Sequence, residues 1–182
     1  MVEISYTFVL ALITVAWCLT RVLIVIKKQQ IIWPNEFKLF LMYLCTVFIV
    51  RFTFFPFSEV NGVVQPLVFN RENLFPPRFN LIPFVNLFNY PNIGEAVINV
   101  VGNVVLFIPA GAVFPTVFRQ INSIIKAMFT GFIFSLCVEI LQLPFYGRVS
   151  DVDDLLMNTL GFGIGYAVYV GVKGLKNKRR SH

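Results

Sequence analysis

Five stretches of this chain are apolar for long enough to cross the hydrocarbon core of a bilayer, which is about 30 Å thick and takes about 20 helical residues at 1.5 Å each. They lie near Ile4–Ile26, Phe37–Phe57, Ile93–Phe118, Ile121–Pro144 and Val152–Val172. Backbone polar groups in lipid must be satisfied internally, so the pattern predicts an all-α integral membrane protein, a bundle of about five transmembrane helices. Composition agrees. Of 182 residues, 57% are hydrophobic and 13% charged, and 21 Phe stand against 15 Lys and Arg and 9 Asp and Glu. A soluble domain needs more polar surface than this to cover its core, which excludes a cytosolic globular enzyme. The first span begins with Glu3 and has neither a basic start nor a small-residue cleavage site, so it reads as a retained anchor.

Cys18, Cys45 and Cys137 each sit inside an apolar run without a CxxC pair, and the lone histidine is His182. They read as small buried apolar residues, with no metal site or thiol nucleophile. The net charge of +6 raises the question of nucleic acid, but the basic residues border the apolar segments instead of forming a patch, so no nucleic-acid partner is expected. Lys27, Lys28 and Lys38 flank the first connection, Arg119 and Lys126 the third, and Lys173, Lys176, Lys178, Arg179 and Arg180 make the tail. The positive-inside rule places these on the cytoplasmic side, with the N-terminus outside and the C-terminus inside. The second connection, Ser58 to Asn92, and the fourth, with Arg148 beside Asp151, Asp153 and Asp154, then face outward.

The second connection is unusual. Gln65-Pro66, Pro76-Pro77, Ile82-Pro83 and Tyr90-Pro91 bar a continuous helix, while Leu81 to Val85 and Leu87-Phe88 are too apolar to float in water. The expectation is a Pro-rich outer loop dipping into the outer leaflet, which is tolerated only against protein or a wet cavity.

An ionisable side chain inside a span is costly and invites a functional or pairing explanation. Arg51 lies roughly 9 Å inside the outer end of the second span, counted back from Phe57. Asn99 and Asn103 are one turn apart on the third; Glu139 and Gln142 share a face near the outer end of the fourth; Asp151, Asp154 and Asn158 share a stripe at the start of the fifth. Asp153 points away from that stripe. The inner halves carry only Arg21, close enough to the end to snorkel. A through-going pathway would need polar groups across the full thickness, so the pattern favours a cavity open to the outside over a channel.

Glu139, Asp154 and Asp151 are the candidate catalytic groups: Glu139 beside Asp154 suits an acid/base pair or a divalent cation. Arg51 suits a phosphate or carboxylate, and Arg78, Asn80, Asn99, Asn103, Gln142 and Asn158 are candidate ligand-binding residues. The bland alternative is an ion pair and interhelical hydrogen bonds that only fix packing. Gly161 and Gly165 form a GxxxG spacing that lets another backbone approach; with no strand before it, this is packing and not a phosphate loop.

Arg51 in Arg-Phe-Thr-Phe-Phe-Pro-Phe, Asn80-Leu81-Ile82-Pro83-Phe84, Gly102-Asn103 through Pro109-Ala110-Gly111, Glu139-Ile140-Leu141-Gln142, and Arg148-Val149-Ser150-Asp151-Val152-Asp153-Asp154 leading to Asn158-Thr159-Leu160-Gly161 together resemble the VanZ-like family over roughly Phe37 to Tyr169. One mild departure is Ala110, where the family often has a bulkier residue. The resemblance implies a bacterial plasma-membrane protein of the cell envelope, in a family named for resistance to the glycopeptide antibiotic teicoplanin; separately, no cofactor is expected. Its motif positions are Arg51, Asn80, Asn103, Glu139, Gln142, Asp151, Asp154 and Asn158. The chain then divides into an anchor helix with its cytoplasmic connection (1–36), a VanZ-like membrane domain (37–172) and a basic cytoplasmic tail (173–182). Besides the bilayer, the partner expected is a lipid or lipoglycopeptide ligand. Three readings stand at this point: a binder of such a ligand, an enzyme modifying a lipid or cell-wall precursor head group on the outer face, or a structural scaffold.

Overall fold

A computed structural model describes residues 2–55, 59–60, 62–84 and 93–180. Among these, five helices are long and apolar enough to cross a membrane. The chain is a multi-pass membrane protein. It divides into two compact units, Met1–Pro77 with Pro144–Arg148, and Arg78–Leu143 with Val149–His182.

The first unit opens with strand β1 (Val2–Ile4), then α1 (Tyr6–Lys28) and α2 (Trp33–Phe54). The Ser5 hydroxyl caps α1 by accepting from the Phe8 N–H at 3.2 Å, and Gln29, in the left-handed region with φ 50°, ends it. The α2 helix begins four residues earlier than expected, because Pro34 falls in the first turn, where a missing N–H costs nothing. The two helices meet through Thr14 and Tyr43, whose hydroxyls are 2.7 Å apart, and through Trp17 against Phe40 and Tyr43. Arg21 does not snorkel alone: it is paired with Glu36, Nε to Oε2 at 2.8 Å and Nη2 to Oε1.

After α2 come β2 (Glu59–Val60), β3 (Val63–Val64) and β4 (Leu67–Phe69), then a 3₁₀ turn at Arg71–Leu74. The proline-bearing segment thus avoids continuous helix. The β2–β3 hairpin turns through Gly62 at φ 73°, a conformation natural for glycine. An unforeseen pairing joins β1 antiparallel to β4, Val2 opposite Phe69 and Ile4 opposite Leu67. The fourth connection joins here too, with the Tyr146 N–H donating to the Val68 carbonyl at 2.8 Å and the Asn70 N–H to Pro144 at 3.0 Å. Arg148 donates to the Phe54 carbonyl at 2.5 Å, placing a cation on the last turn of α2.

The second unit contains β5 (Phe79–Asn80), α3 (Ile93–Val117), α4 (Ile124–Gln142), β6 (Ser150–Asp151) and α5 (Val152–Arg180). Gly161 and Gly165 act as the spacing predicts: a Cβ there would lie 2.1 Å from the Val104 carbonyl oxygen and 2.0 Å from that of Ile108. So α3 and α5 pack backbone to backbone. Phe162, fully buried, lies edge-on to Phe114 and fills the space at Gly131 of α4. The α5 helix continues to Arg180, eight residues past the expected end, and the basic residues of its last turns suit a helix C-terminus. Strands β5 and β6 pair in parallel, Asn80 opposite Asp151, with the Ser150 N–H donating to the Arg78 carbonyl at 3.1 Å.

One expectation changes and another is not tested. Cys45 is buried, but Cys18 and Cys137 lie on the exposed faces of their helices, because a thiol is apolar enough to face lipid as readily as protein. The predicted apolar stretch at Val85 and Leu87-Phe88, the Tyr90-Pro91 step and the span end at Pro56 and Phe57 lie outside the described residues.

Candidate functional site

The second unit gathers most of the sequence-predicted polar residues around β5, β6, the end of α4 and the start of α5, with two more on α3. Glu139 is only 3% exposed, in the last turn of α4, and its Oε2 accepts the Asp151 N–H at 3.1 Å. The Ser150 hydroxyl also bonds to it, and the charges of Asp154 and Asp151 act on it. Asp151 holds the layer together: its two carboxylate oxygens accept from Asn80 Nδ2 at 3.2 and 3.1 Å, and Oδ1 also accepts the Asp153 N–H at 3.0 Å. The parallel pairing of β5 with β6 sets this contact, because it puts Asn80 beside Asp151.

Asp154 reaches the other side. Its Oδ1 accepts from Asn103 Nδ2 at 2.5 Å, and the same amide donates to Asn99 Oδ1, one turn away on α3, at 3.3 Å. Gln142 is buried one turn from Glu139. One turn deeper, Asn158 Nδ2 donates to the Ser135 hydroxyl oxygen at 3.0 Å, and both residues are almost completely buried. Asp153 turns away from the stripe, as expected, but toward a definite partner: both its carboxylate oxygens accept the Phe84 N–H, at 2.9 and 3.0 Å. Phe84 has φ 64°, rare for a bulky residue, so Asp153 holds the apolar loop in a strained turn.

Three backbone donors therefore run in series, Phe84 to Asp153, Asp153 to Asp151 and Asp151 to Glu139. Asn80, Asp151 and Glu139 form one hydrogen-bonded group, Asn99, Asn103 and Asp154 a second, and Asn158 pairs with Ser135 one turn deeper, whereas Arg78 contributes its carbonyl and leaves its side chain exposed. Arg51 belongs to the first unit, its guanidinium 5.6 Å from the ring centre of Tyr6 and 5.3 Å from that of Phe52. Sequence reasoning missed Ser135 and Ser150. Ser135 stands one turn before Glu139, a spacing visible in the sequence, while Ser150 joins only because β6 bends the chain back.

Among the described residues no group of three His, Cys, Asp or Glu side chains is placed to hold a metal ion, so the divalent-cation option gains no support. The layer offers carboxylates, carboxamides and a hydroxyl beside apolar helix faces. Such a set can exchange hydrogen bonds with polar groups, and neighbouring carboxylates are chemically suited to proton transfer.

The pattern of the VanZ/LLP1 family matches residues 40–174, which carry every one of these side chains. The chain belongs to the VanZ/LLP1 family. It is 32% identical over 99 residues to Protein VanZ of Enterococcus faecium, a match covering 54% of each chain. The chain thus spans about half the length of that VanZ relative. No solved structure matches it. The family segment begins inside α2 and ends inside α5, so it contains the whole second unit up to Gly174 and leaves α1 outside.

Proposed function

We propose that this protein binds the polar head of a lipophilic ligand, a lipoglycopeptide or a lipid-linked cell-wall precursor, at the Glu139–Asp151–Asp154 layer, and thereby contributes to teicoplanin resistance or envelope function. The observation that carries the reading is Glu139, a carboxylate almost wholly buried at the end of a membrane-spanning helix and held by the Asp151 backbone. A buried carboxylate among apolar helices is expensive, and a binding role explains its retention. The basic helix-flanking residues support an N-terminus outside, a cytoplasmic C-terminus and an outward-facing site in the bacterial plasma membrane. The pairing of β1 with β4 supports the same arrangement, since it joins the N-terminus to the second connection. Phe79, Leu81, Ile82 and Phe84, all exposed, form the part of the outer loop that enters the outer leaflet.

The test is saturable binding of teicoplanin to the protein in phosphatidylcholine nanodiscs. Glu139→Ala abolishes it while the helical signal and unfolding midpoint stay close to wild type. Arg51→Ala is a separate arm for the residue of the first unit. Unaltered binding by a folded Glu139→Ala protein ends this reading.

A second reading is an enzyme acting on a lipid head group with Glu139 and Asp154 as acid and base; it is supported by the carboxylates of Glu139 and Asp151, which the Asp151 N–H bond to Glu139 holds close together. It expects turnover of a cell-wall lipid that disappears in Asp154→Asn. Identical lipid profiles in deletion and parent strains count against it.

A further inference from the structure

Beneath the carboxylates lies a second, neutral polar layer. Ser135 precedes Glu139 by one turn of α4, and Asn158 follows Asp154 by one turn of α5. Ser135 is fully buried and Asn158 is 1% exposed. Asn158 Nδ2 is used by the Ser135 oxygen, but Asn158 Oδ1 is buried without a hydrogen-bond partner among the described residues. A buried acceptor left unmade costs about 1–3 kcal/mol, and no bulk solvent relieves it at membrane depth. Side chains on a helix lean toward its N-terminal end, and on α5 that end carries Asp151 and Asp154. The Asn158 side chain therefore leans to the carboxylate side of its own Cα, and its unused acceptor lies one turn beneath the carboxylate layer. A bond that merely glued α4 to α5 would be complete without it.

We propose that Ser135 and Asn158 form the floor of the binding site, and that Asn158 Oδ1 accepts a hydrogen bond from an uncharged hydroxyl or amide N–H of the ligand head group. The proposal rests on the binding reading above and narrows the ligand class. An ammonium at this depth would be desolvated against neutral partners, one turn below the carboxylates that could balance it, whereas a neutral donor carries no such penalty. Glycopeptides and sugar-bearing cell-wall lipids both offer the required group.

The experiment uses the full chain in phosphatidylcholine nanodiscs with teicoplanin as probe. In the double variant Ser135→Ala, Asn158→Leu both partners become apolar together, a change that is close to neutral for stability because no group is left unsatisfied. The expected result is an unfolding midpoint no lower than wild type, with affinity about tenfold weaker, the loss expected for about one hydrogen bond. Wild-type affinity in the folded double variant overturns the proposal. Should that variant not fold, Ser135→Ala alone releases the Asn158 amide from its orientation and weakens binding about threefold, on the order of half a hydrogen bond; an unchanged affinity there is equally fatal. Glu139→Gln runs in parallel. If it loses binding and the floor variant does not, the floor alone is wrong; if neither loses binding, the reading of the whole site fails.

Discussion

Helices α1 and α5 are both apolar enough to span a membrane, yet they use their surfaces in opposite ways. No residue of α1 is buried, whereas α5 buries Asn158, Thr159, Phe162 and Tyr166 and meets α3 at Gly161 and Gly165. Hydropathy says that each can cross the bilayer. It does not say which will be held by protein. Lipid tails are as apolar as leucine, so burial inside a membrane is decided by small residues that admit a neighbouring backbone and by polar side chains that need partners. The α5 helix has both in one stripe, and α1 has mostly bulky aliphatics such as Leu12, Val15, Leu19 and Val22.

The harshest way to break this contrast is to add one methyl group. Gly161→Ala and Gly165→Ala each push a Cβ into a backbone carbonyl of α3, and α-helical backbone cannot swing aside as a flexible side chain can. Each is expected to lower stability by about 1–3 kcal/mol or more, while Leu12→Ala and Leu19→Ala on α1 change it by less than about 0.5 kcal/mol. Thermal unfolding in detergent checks the ranking. Equal midpoints for Gly165→Ala and Leu19→Ala would show that the close approach is unimportant.

A smaller effect sharpens the contrast at the N-terminal ends of the same two helices. Ahead of α1 lies a plain strand pairing, β1 on β4, whereas at the start of α5 the Asp153 carboxylate holds the Phe84 N–H of a strained turn. Asp153→Asn removes the charge from that bond, so about 1.5 kcal/mol of local protection is expected to go, since bonds to charged groups contribute about that much or more. Hydrogen exchange at the Phe84 amide should quicken about tenfold, the rate change equivalent to about 1.4 kcal/mol, while amides in the middle of α5 keep their protection. Uniform protection across both regions would mean that Asp153 does not hold the loop.

The same contrast explains what was legible in the sequence. Five spans, the glycine seam and the polar stripes on α3, α4 and α5 follow from periods of three and four residues, because those contacts are set by helix geometry alone. The resemblance carried by Asn80, Asn103, Glu139 and the Asp151 to Asn158 segment is borne out by the family match over 40–174. What stayed hidden depends on contacts between distant segments. Pairing of Val2 with Phe69, and of Asn80 with Asp151, involves strands of two or three residues, too short to show an alternating pattern. Asp153 was legible as pointing off the stripe, but its partner, the backbone N–H of Phe84 in the second connection, has no side-chain signature. Helix ends moved for local reasons, Pro34 opening α2 and the tail cations extending α5.

The weakest expected effect lies at the opposite end of α1, where Arg21 and Glu36 tie it to α2. Their side chains are 14% and 24% exposed, which puts the pair between a buried bridge and a surface one. A surface pair contributes about 0–1 kcal/mol, and removing one partner of a buried pair costs more because the survivor is stranded. A double-mutant cycle with Arg21→Met and Glu36→Gln separates the two, since it measures the coupling and not the cost of orphaning either charge. The coupling expected is about 0.5–1 kcal/mol, decreasing as salt is raised. That is enough to orient α1 against α2 but smaller than the effect of one methyl group at Gly165. A coupling as large as that glycine penalty would reverse the ranking, and make ion pairing rather than close backbone packing the stronger constraint on how these helices assemble.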